Sequence, residues 1–495
     1  MMWIPEDRIE RLTLSKRIAL VTGVLFLCAS SVIAARDVTD VDITNYLERQ
    51  FRIDEAIAAD AVDVATEDGI VTLSGSVDNI LAKDRAARIA EATVGVRAVV
   101  NRILVIPPIT LTDSEIEQAA IRALRADPAT SAYDVNITVD NGVVRLTGSV
   151  DSWQEKQLCE AVVKGVTGVT DVENHLTIDY DAVRTDFEIE QEIKRRLEND
   201  VRVDARLINV DVEDQEVVLT GAVGSVQERN RAQMNARVRG VESVDKSQLE
   251  IRWWARDEMR RIEDDVERGD EQIEQAIHEA FEYDPRVDPD PIRVNVRYGR
   301  VTLSGVVDNL LAKRAAENNA RHTAGVMRVI NNIKVRPVDR PDDDQLQERV
   351  AGRLIAEPRL NRFDIDVSVY GGVVHLSGHV NTAWEKQRAE RLAEEVSGVV
   401  DVINNISYDH EWTPKPDWEI KEDLENLLAW SPFVDEENIT VTVEDGVVTL
   451  MGEVHTYSER QTASDKAYQA GAKDVKNRLT VAHRIYGPHH YIPYY

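Results

Sequence analysis

A Leu-x-Gly unit, with Val two residues past the Gly, recurs six times along this 495-residue chain, at Gly75, Gly148, Gly221, Gly305, Gly378 and Gly452. The spacings are 73, 73, 84, 73 and 74 residues, and a second Gly follows each of the six by 19 or 20. Such a period means one small module copied in tandem, so the function is one that six copies perform better than one. Apolar or small residues precede each first Gly by 32, 28 and 24 places, as in Ile116, Ala120 and Leu124. That spacing puts one stripe along an amphipathic helix. Alternation follows (Val135, Ile137, Val139), then Asn141-Gly142, then Val144 and Leu146, which reads as a β-hairpin. A second helix should run to the second Gly as its C-cap, and an alternating strand (Val172, Leu176, Ile178) closes the copy. The expected fold is α+β: six αββαβ modules, each a three-stranded mixed sheet packed with two helices.

The modules fall at residues 40–107, 113–179, 186–252, 270–337, 342–408 and 417–483, with a charged helical spacer at 253–269 and an aromatic tail at 484–495. A coarser repeat overlies them. Copies one and four share Val-Asp-Asn followed by Ala-Lys (Val77 to Lys83, Val307 to Lys313), and copies two and five share Glu-Lys-Gln after a Trp. Copies three and six share Glu-Arg, at Glu228 and Glu459, so two triplets are expected. Short Pro-bearing joints predict an elongated or curved array with neighbour contacts.

The motifs Leu73-Ser74-Gly75, Gly95-Val96 and Asn101 resemble the BON domain, a small module of bacterial envelope and osmotic-stress proteins. The same motifs recur at Leu303-Ser304-Gly305, Gly325-Val326 and Asn331, and at Leu376-Ser377-Gly378, Gly398-Val399 and Asn404. Copy three departs, with Gln215 and Glu216 at the hairpin turn and Lys246-Ser247 in place of the Asn, and copy six has Ala472 after its second Gly. The resemblance implies a non-enzymatic envelope module, often one that binds phospholipid.

The net charge of −30 argues against nucleic acid, because phosphate binding needs a basic surface. Lys16-Arg17, an apolar run and Val32-Ile33-Ala34 read as a secretory signal peptide over residues 1–34, implying a periplasmic protein. The competing reading is an uncleaved N-terminal membrane anchor. A lipoprotein at Cys28 is disfavoured by the bulky Leu27 before it. Cys159 fills a slot that holds Ala in the other five copies, so a buried packing role is expected.

Eight residues past each first Gly stands a base, with apolar residues just before it. The candidate lipid- or partner-binding pairs are Trp153 with Lys156, Trp384 with Lys386, Leu81 with Lys83, Leu311 with Lys313, and Tyr457 with Arg460. Apolar tips beside a cation suit a membrane interface. The same residues also suit a hydrophobic staple with the base paired to neighbouring acids or modules. Exposed Trp153 and Trp384 would mark the first reading. His375 and His379 share a strand face but are too few to hold a metal. Trp253-Trp254 are expected to seal the third module. No phosphate loop, catalytic triad or metal constellation recurs in register, so neither cofactor nor enzymatic activity is expected. Phospholipid association leads, followed by a self-assembling or partner-binding envelope scaffold and then an ion-sensing role.

Overall fold

The structure is a computed structural model that describes residues 38–54, 57, 62–127, 129–130, 134–179, 184–252, 254–255, 268–338, 340–355, 357, 360, 363–380, 383–408 and 415–482. The leader, nearly all of the spacer, Trp253 and the tail lie outside these residues, as do the side chains of Ile53, Ala383 and Trp384.

Six copies of one αββαβ unit follow one another. Their first helices are α1 (Asp40–Ile53), α3 (Asp113–Ala126), α5 (Asp186–Asn199), α7 (Asp270–Glu282), α9 (Asp343–Ile355) and α11 (Asp417–Ala429). Their second helices are α2 (Ile80–Glu91), α4 (Trp153–Lys164), α6 (Val226–Ala236), α8 (Leu310–Arg321), α10 (Ala383–Glu394) and α12 (Tyr457–Gln469). In module 2 the central strand Val143–Val150 pairs antiparallel with Val135–Asp140 and parallel with Asp171–Asn174, a mixed sheet repeated in every module. The four-residue stripes are the core: Ile116, Ala120 and Leu124 are buried against Val144, Leu146 and Cys159. Cys159 thus packs as a small apolar group, and burial pushes its thiol up to about 12, far from a reactive thiolate.

The third strand breaks after its Asn in modules 1, 2 and 5, where a two-residue piece such as Thr177–Ile178 resumes pairing with the central strand. Asn174 stands at that point, and its counterparts Asn331 and Asn477 make the same bonds in modules 4 and 6, where the strand runs on unbroken. Asn174 Nδ2 donates to the Lys156 carbonyl at 2.8 Å, and its Oδ1 accepts from the Leu176 amide at 3.3 Å, tying strand to helix. In module 3, without the Asn, the ladder shifts register at that point, whereas the Asn-bearing modules keep theirs, and Asp245 accepts from Ser247 N.

Two glycine positions show what the repeat requires. Gly148 has φ +125, and a Cβ there would lie 2.4 Å from the Asp134 carbonyl oxygen. Gly168 does not cap α4, which ends at Lys164. It turns the chain four residues later at φ +90, where a Cβ would press on Ile116 of α3. In module 2 the second glycine thus permits close approach to the first helix rather than stopping the second, whereas in module 6 Gly471 directly follows the helix cap Ala470.

Of the elongated and curved arrays expected, the described residues form the curved one, its first and last modules in contact. The described residues from Thr39 onward form one compact unit in which non-neighbouring modules touch. Tyr46 of module 1 stacks on Trp430 of module 6, ring centroids 4.5 Å apart, and Gln469 donates to Gln50 at 3.1 Å. Modules 4 and 5 share one continuous apolar core. Trp254 is 52% exposed and so does not seal module 3.

Candidate functional site

The hairpin turn of every module is held by a residue absent from the sequence reading. In module 2, Asn141 and Gly142 adopt φ 51 and 76, and both amides donate to the Asp113 carboxylate, at 3.0 and 2.9 Å. Asp40, Asp186, Asp270, Asp343 and Asp417 make the same pair of bonds in their modules. Each is the first residue of its module's first helix and stands 35 places before the Leu-x-Gly glycine. The clamp also holds Gln215 at φ 64 in module 3, where the turn is Asp214-Gln215 and Glu216 already belongs to the strand.

Several of the residues read as lipid contacts are engaged within the protein. Trp153 opens α4 and is half-buried, not largely exposed. The Arg237 guanidinium of module 3 lies 3.4 Å from the centre of its ring, and Lys156 Nζ lies 5.1 Å away. Lys156 Nζ donates to the Leu176 carbonyl at 2.6 Å; burial, then the neighbouring Arg237, lowers its pKa. Arg460 does the same in module 6, donating to the Leu479 and Asn477 carbonyls at 3.0 and 2.9 Å. Lys386 points its ammonium at Tyr408, 6.0 Å from the ring centre. The base in these three copies therefore lies against the third strand. Tyr457 is half-buried and packs on the joint core of modules 4 and 5. Leu81, Lys83, Leu311 and Lys313 are half-buried at matching places, while Ile80 and Leu310 beside them are core. His379 meets the Ser407 hydroxyl, and His375 lies edge-on to Tyr370.

The modules meet through their helices, and two of these joints carry reversed ion pairs. Lys164 of module 2 reaches Asp84 of module 1 at 3.0 Å. At the same positions between modules 4 and 5, Arg314 meets Glu394, so acid and base have changed places. Burial raises the Glu394 pKa to about 7, against the pull of Arg314.

A cavity of about 350 Å³ lies where modules 2, 3 and 4 converge. Module 3 presents α5 and α6, module 4 presents α7 and α8, and Trp153, Gln154 and Leu158 of α4 form the third wall. The joint under it is partly backbone. Val201 N donates to the His322 carbonyl at 3.1 Å and Ala324 N to the Asn199 carbonyl at 2.9 Å. Five arginines line the cavity: Arg196, Arg202, Arg231, Arg237 and Arg286. Three carboxylates face them. Asp200 is shared by Arg202, Arg231 and Asn235, and Asp284 is held by Arg286 at 2.7 Å. Glu279 is taken by Arg195, at 3.0 Å, from outside the lining. Arg196 lies against Tyr283, 4.1 Å from the ring centre. Its Nη1 is buried and has no hydrogen-bond partner among the described residues. Burial, then Arg202 and Arg321, pushes His322 down to about 3, so its ring is neutral. The described residues hold no group of three or more His, Cys, Asp or Glu side chains able to bind a metal, and no described helix is long and apolar enough to cross a membrane.

Six small mixed-sheet modules, three of which converge on an arginine-lined cavity, define a tandem-module protein. The chain belongs to the BON domain family, whose model matches residues 39–107, 112–180, 185–252, 269–337, 342–409 and 416–483. Osmotically-inducible protein Y of Escherichia coli is 31% identical over 23% of this chain, which spans 60% of that relative's length. Outer membrane lipoprotein DolP of Haemophilus influenzae is also 31% identical, over 31% of this chain and 83% of that protein. The C-terminal domain of CdsD, a structural protein of the type III secretion system of Chlamydia trachomatis, aligns over 44% of this chain and all of that domain. At 18% identity and a TM-score of 0.12 the likeness is too slight to bear on fold or function.

Proposed function

We propose that this chain is a non-enzymatic protein of the bacterial envelope that works as a preassembled scaffold of six BON modules. The observation that carries this reading is the closure of module 1 on module 6 through the Tyr46–Trp430 stack, together with the engagement of Trp153 and Lys156, first read as lipid contacts, inside a module and a joint. The family and relatives named for osmotic induction and for the outer membrane support the envelope setting. Cysteines at Gln50 and Gln469 test it. They should crosslink readily in the full-length protein in cells, and neither single variant should. A folded double variant that does not crosslink would return the modules to a string of separate binders.

Association with phospholipid surfaces is the second reading. Phe187 and Trp418 are 70% and 66% exposed, each at the second residue of a first helix, and Leu81–Lys83 and Leu311–Lys313 stand as further contacts. Sedimentation with phosphatidylglycerol vesicles should fall when both rings are replaced by Ser. Unchanged sedimentation of that variant would reject these contacts.

A further inference from the structure

The arginine-lined cavity has a built-in comparison, because its joint occurs twice. Counting from the Leu-x-Gly glycines, the joint of modules 3 and 4 corresponds to that of modules 6 and 1. Ala276 and Asn199, which line the cavity, fall where Tyr46 and Trp430 stack. Arg196, Arg202, Arg231 and Arg237 fall where module 6 has Leu427, Phe433, Thr462 and Tyr468. A joint of this design is therefore made without guanidinium groups at these four places. The arginines work against packing: burial lowers the pKa of both Arg196 and Arg202, and a buried donor is left unmet on Arg196.

Five arginines against three carboxylates give the lining a surplus of two positive charges, in a chain of net charge −30. A phosphomonoester carries about −1.5 to −2 at neutral pH, and guanidinium forks match its oxygens. The volume exceeds that of a bare phosphate and lies within the usual range of ligand pockets. Trp153, Leu158, Met234 and Tyr283 supply apolar wall for whatever the phosphate is attached to.

We propose that the cavity between modules 2, 3 and 4 binds a phosphomonoester group through the guanidinium groups that line it, Arg196, Arg231 and Arg237, with Trp153 flanking it. This site is independent of the lipid reading above. Its ligand could be soluble or a lipid headgroup, and the two sources are separable.

Titration calorimetry on the full-length protein would use glycerol 3-phosphate against glycerol, and phosphatidic acid vesicles against phosphatidylcholine, at matched ionic strength. Saturable binding to either phosphate probe is expected, weakened at least tenfold in Arg196→Leu and less in Arg196→Lys. Binding to glycerol 3-phosphate assigns a soluble ligand, and binding to the vesicles alone assigns a headgroup. Should Arg196→Leu not fold, the His322 ring resonances of the unaltered protein give the second readout. They should move on adding the bound probe, because a dianion nearby favours the imidazolium. Absence of binding to both probes overturns the proposal, as do equal affinities in Arg196→Leu or unmoved His322 resonances. Vesicle binding that survives in Arg196→Leu would leave the lipid reading standing and remove this one.

Discussion

The joint of modules 6 and 1 and the joint of modules 3 and 4 occupy matching places in the two triplets, yet they are built on opposite principles. The first is closed by Tyr46, only 9% exposed, lying flat on Trp430. The second is held by backbone hydrogen bonds and by the Arg195–Glu279 ion pair, with open volume left beside them. The contrast teaches that the repeat fixes where modules meet but not what chemistry fills the meeting place. The stacked rings give cohesion that does not itself titrate, with Lys466 of module 6 buried near Arg85 and Asp54 of module 1; arginine and carboxylate line the other joint, which responds to protons and ions.

The largest test of that contrast is removal of the stack. Tyr46→Ala should destabilise the closed joint by roughly 3–5 kcal/mol, as truncation of a buried aromatic does. Asn199→Ala, at the position of Trp430, should have less than about 1 kcal/mol of effect. Amide exchange localised to each joint would check both values, and equal losses would erase the distinction.

Acid should act the other way. His322 titrates near 6.5 when unfolded and at about 3 in the fold, so the unfolded chain binds its proton first. Stability from that group is complete above about pH 6.5 and is lost as pH falls toward 3, about 2 kcal/mol by pH 5. Asp200, held far below the usual carboxylate range by Arg231 and Arg202 despite its burial, adds stability that is present above about pH 4 and lost below it. Ala92 and Ser431 stand at these two places in the other joint. Exchange protection at modules 3 and 4 should therefore fall before that at modules 6 and 1, and simultaneous loss would show that neither group governs its joint.

A smaller effect is expected inside each module. Asp113→Ala leaves two turn amides without their carboxylate and should lower the stability of module 2 by about 2 kcal/mol, read by exchange at Asn141 and Gly142. Asp417→Ala should do the same in module 6, whichever kind of joint lies nearby. The smallest change concerns the half-buried pairs: Lys164→Glu should weaken the joint of modules 1 and 2 by about 1 kcal/mol or less, and Asp84→Arg with it should recover most of that.

The modules were legible because their spacing is local. The stripe Ile116, Ala120, Leu124 and the Asn141-Gly142 turn are set by residues a few places apart, and the structure buries and turns them as read. The Asp113 clamp was equally present in all six copies, but attention to apolar periodicity passes over a polar residue 35 places from its glycine. Trp153 was harder. Its place at the head of α4 follows from the repeat, whereas Arg237 over its ring comes from another module, and no period within one copy encodes that contact. Closure of module 1 on module 6 was hidden for the same reason, since it joins residues 419 positions apart. The exchange of Arg196 for Leu427 was visible in sequence, but it acquires meaning only once both are seen facing the same kind of joint.

The reversed pairs Asp84–Lys164 and Arg314–Glu394 bear on how six nearly alike domains sort themselves while the chain folds. Tandem copies are prone to docking on the wrong sibling. Were module 2 to settle against module 4, Lys164 would face Arg314; were module 5 to settle against module 1, Glu394 would face Asp84. Each wrong partnership brings like charges together, whereas each right one brings opposites, so the polarity swap acts as a lock with two differently cut keys. Duplication would have made the triplets interchangeable, and inverting one ion pair is enough to tell them apart.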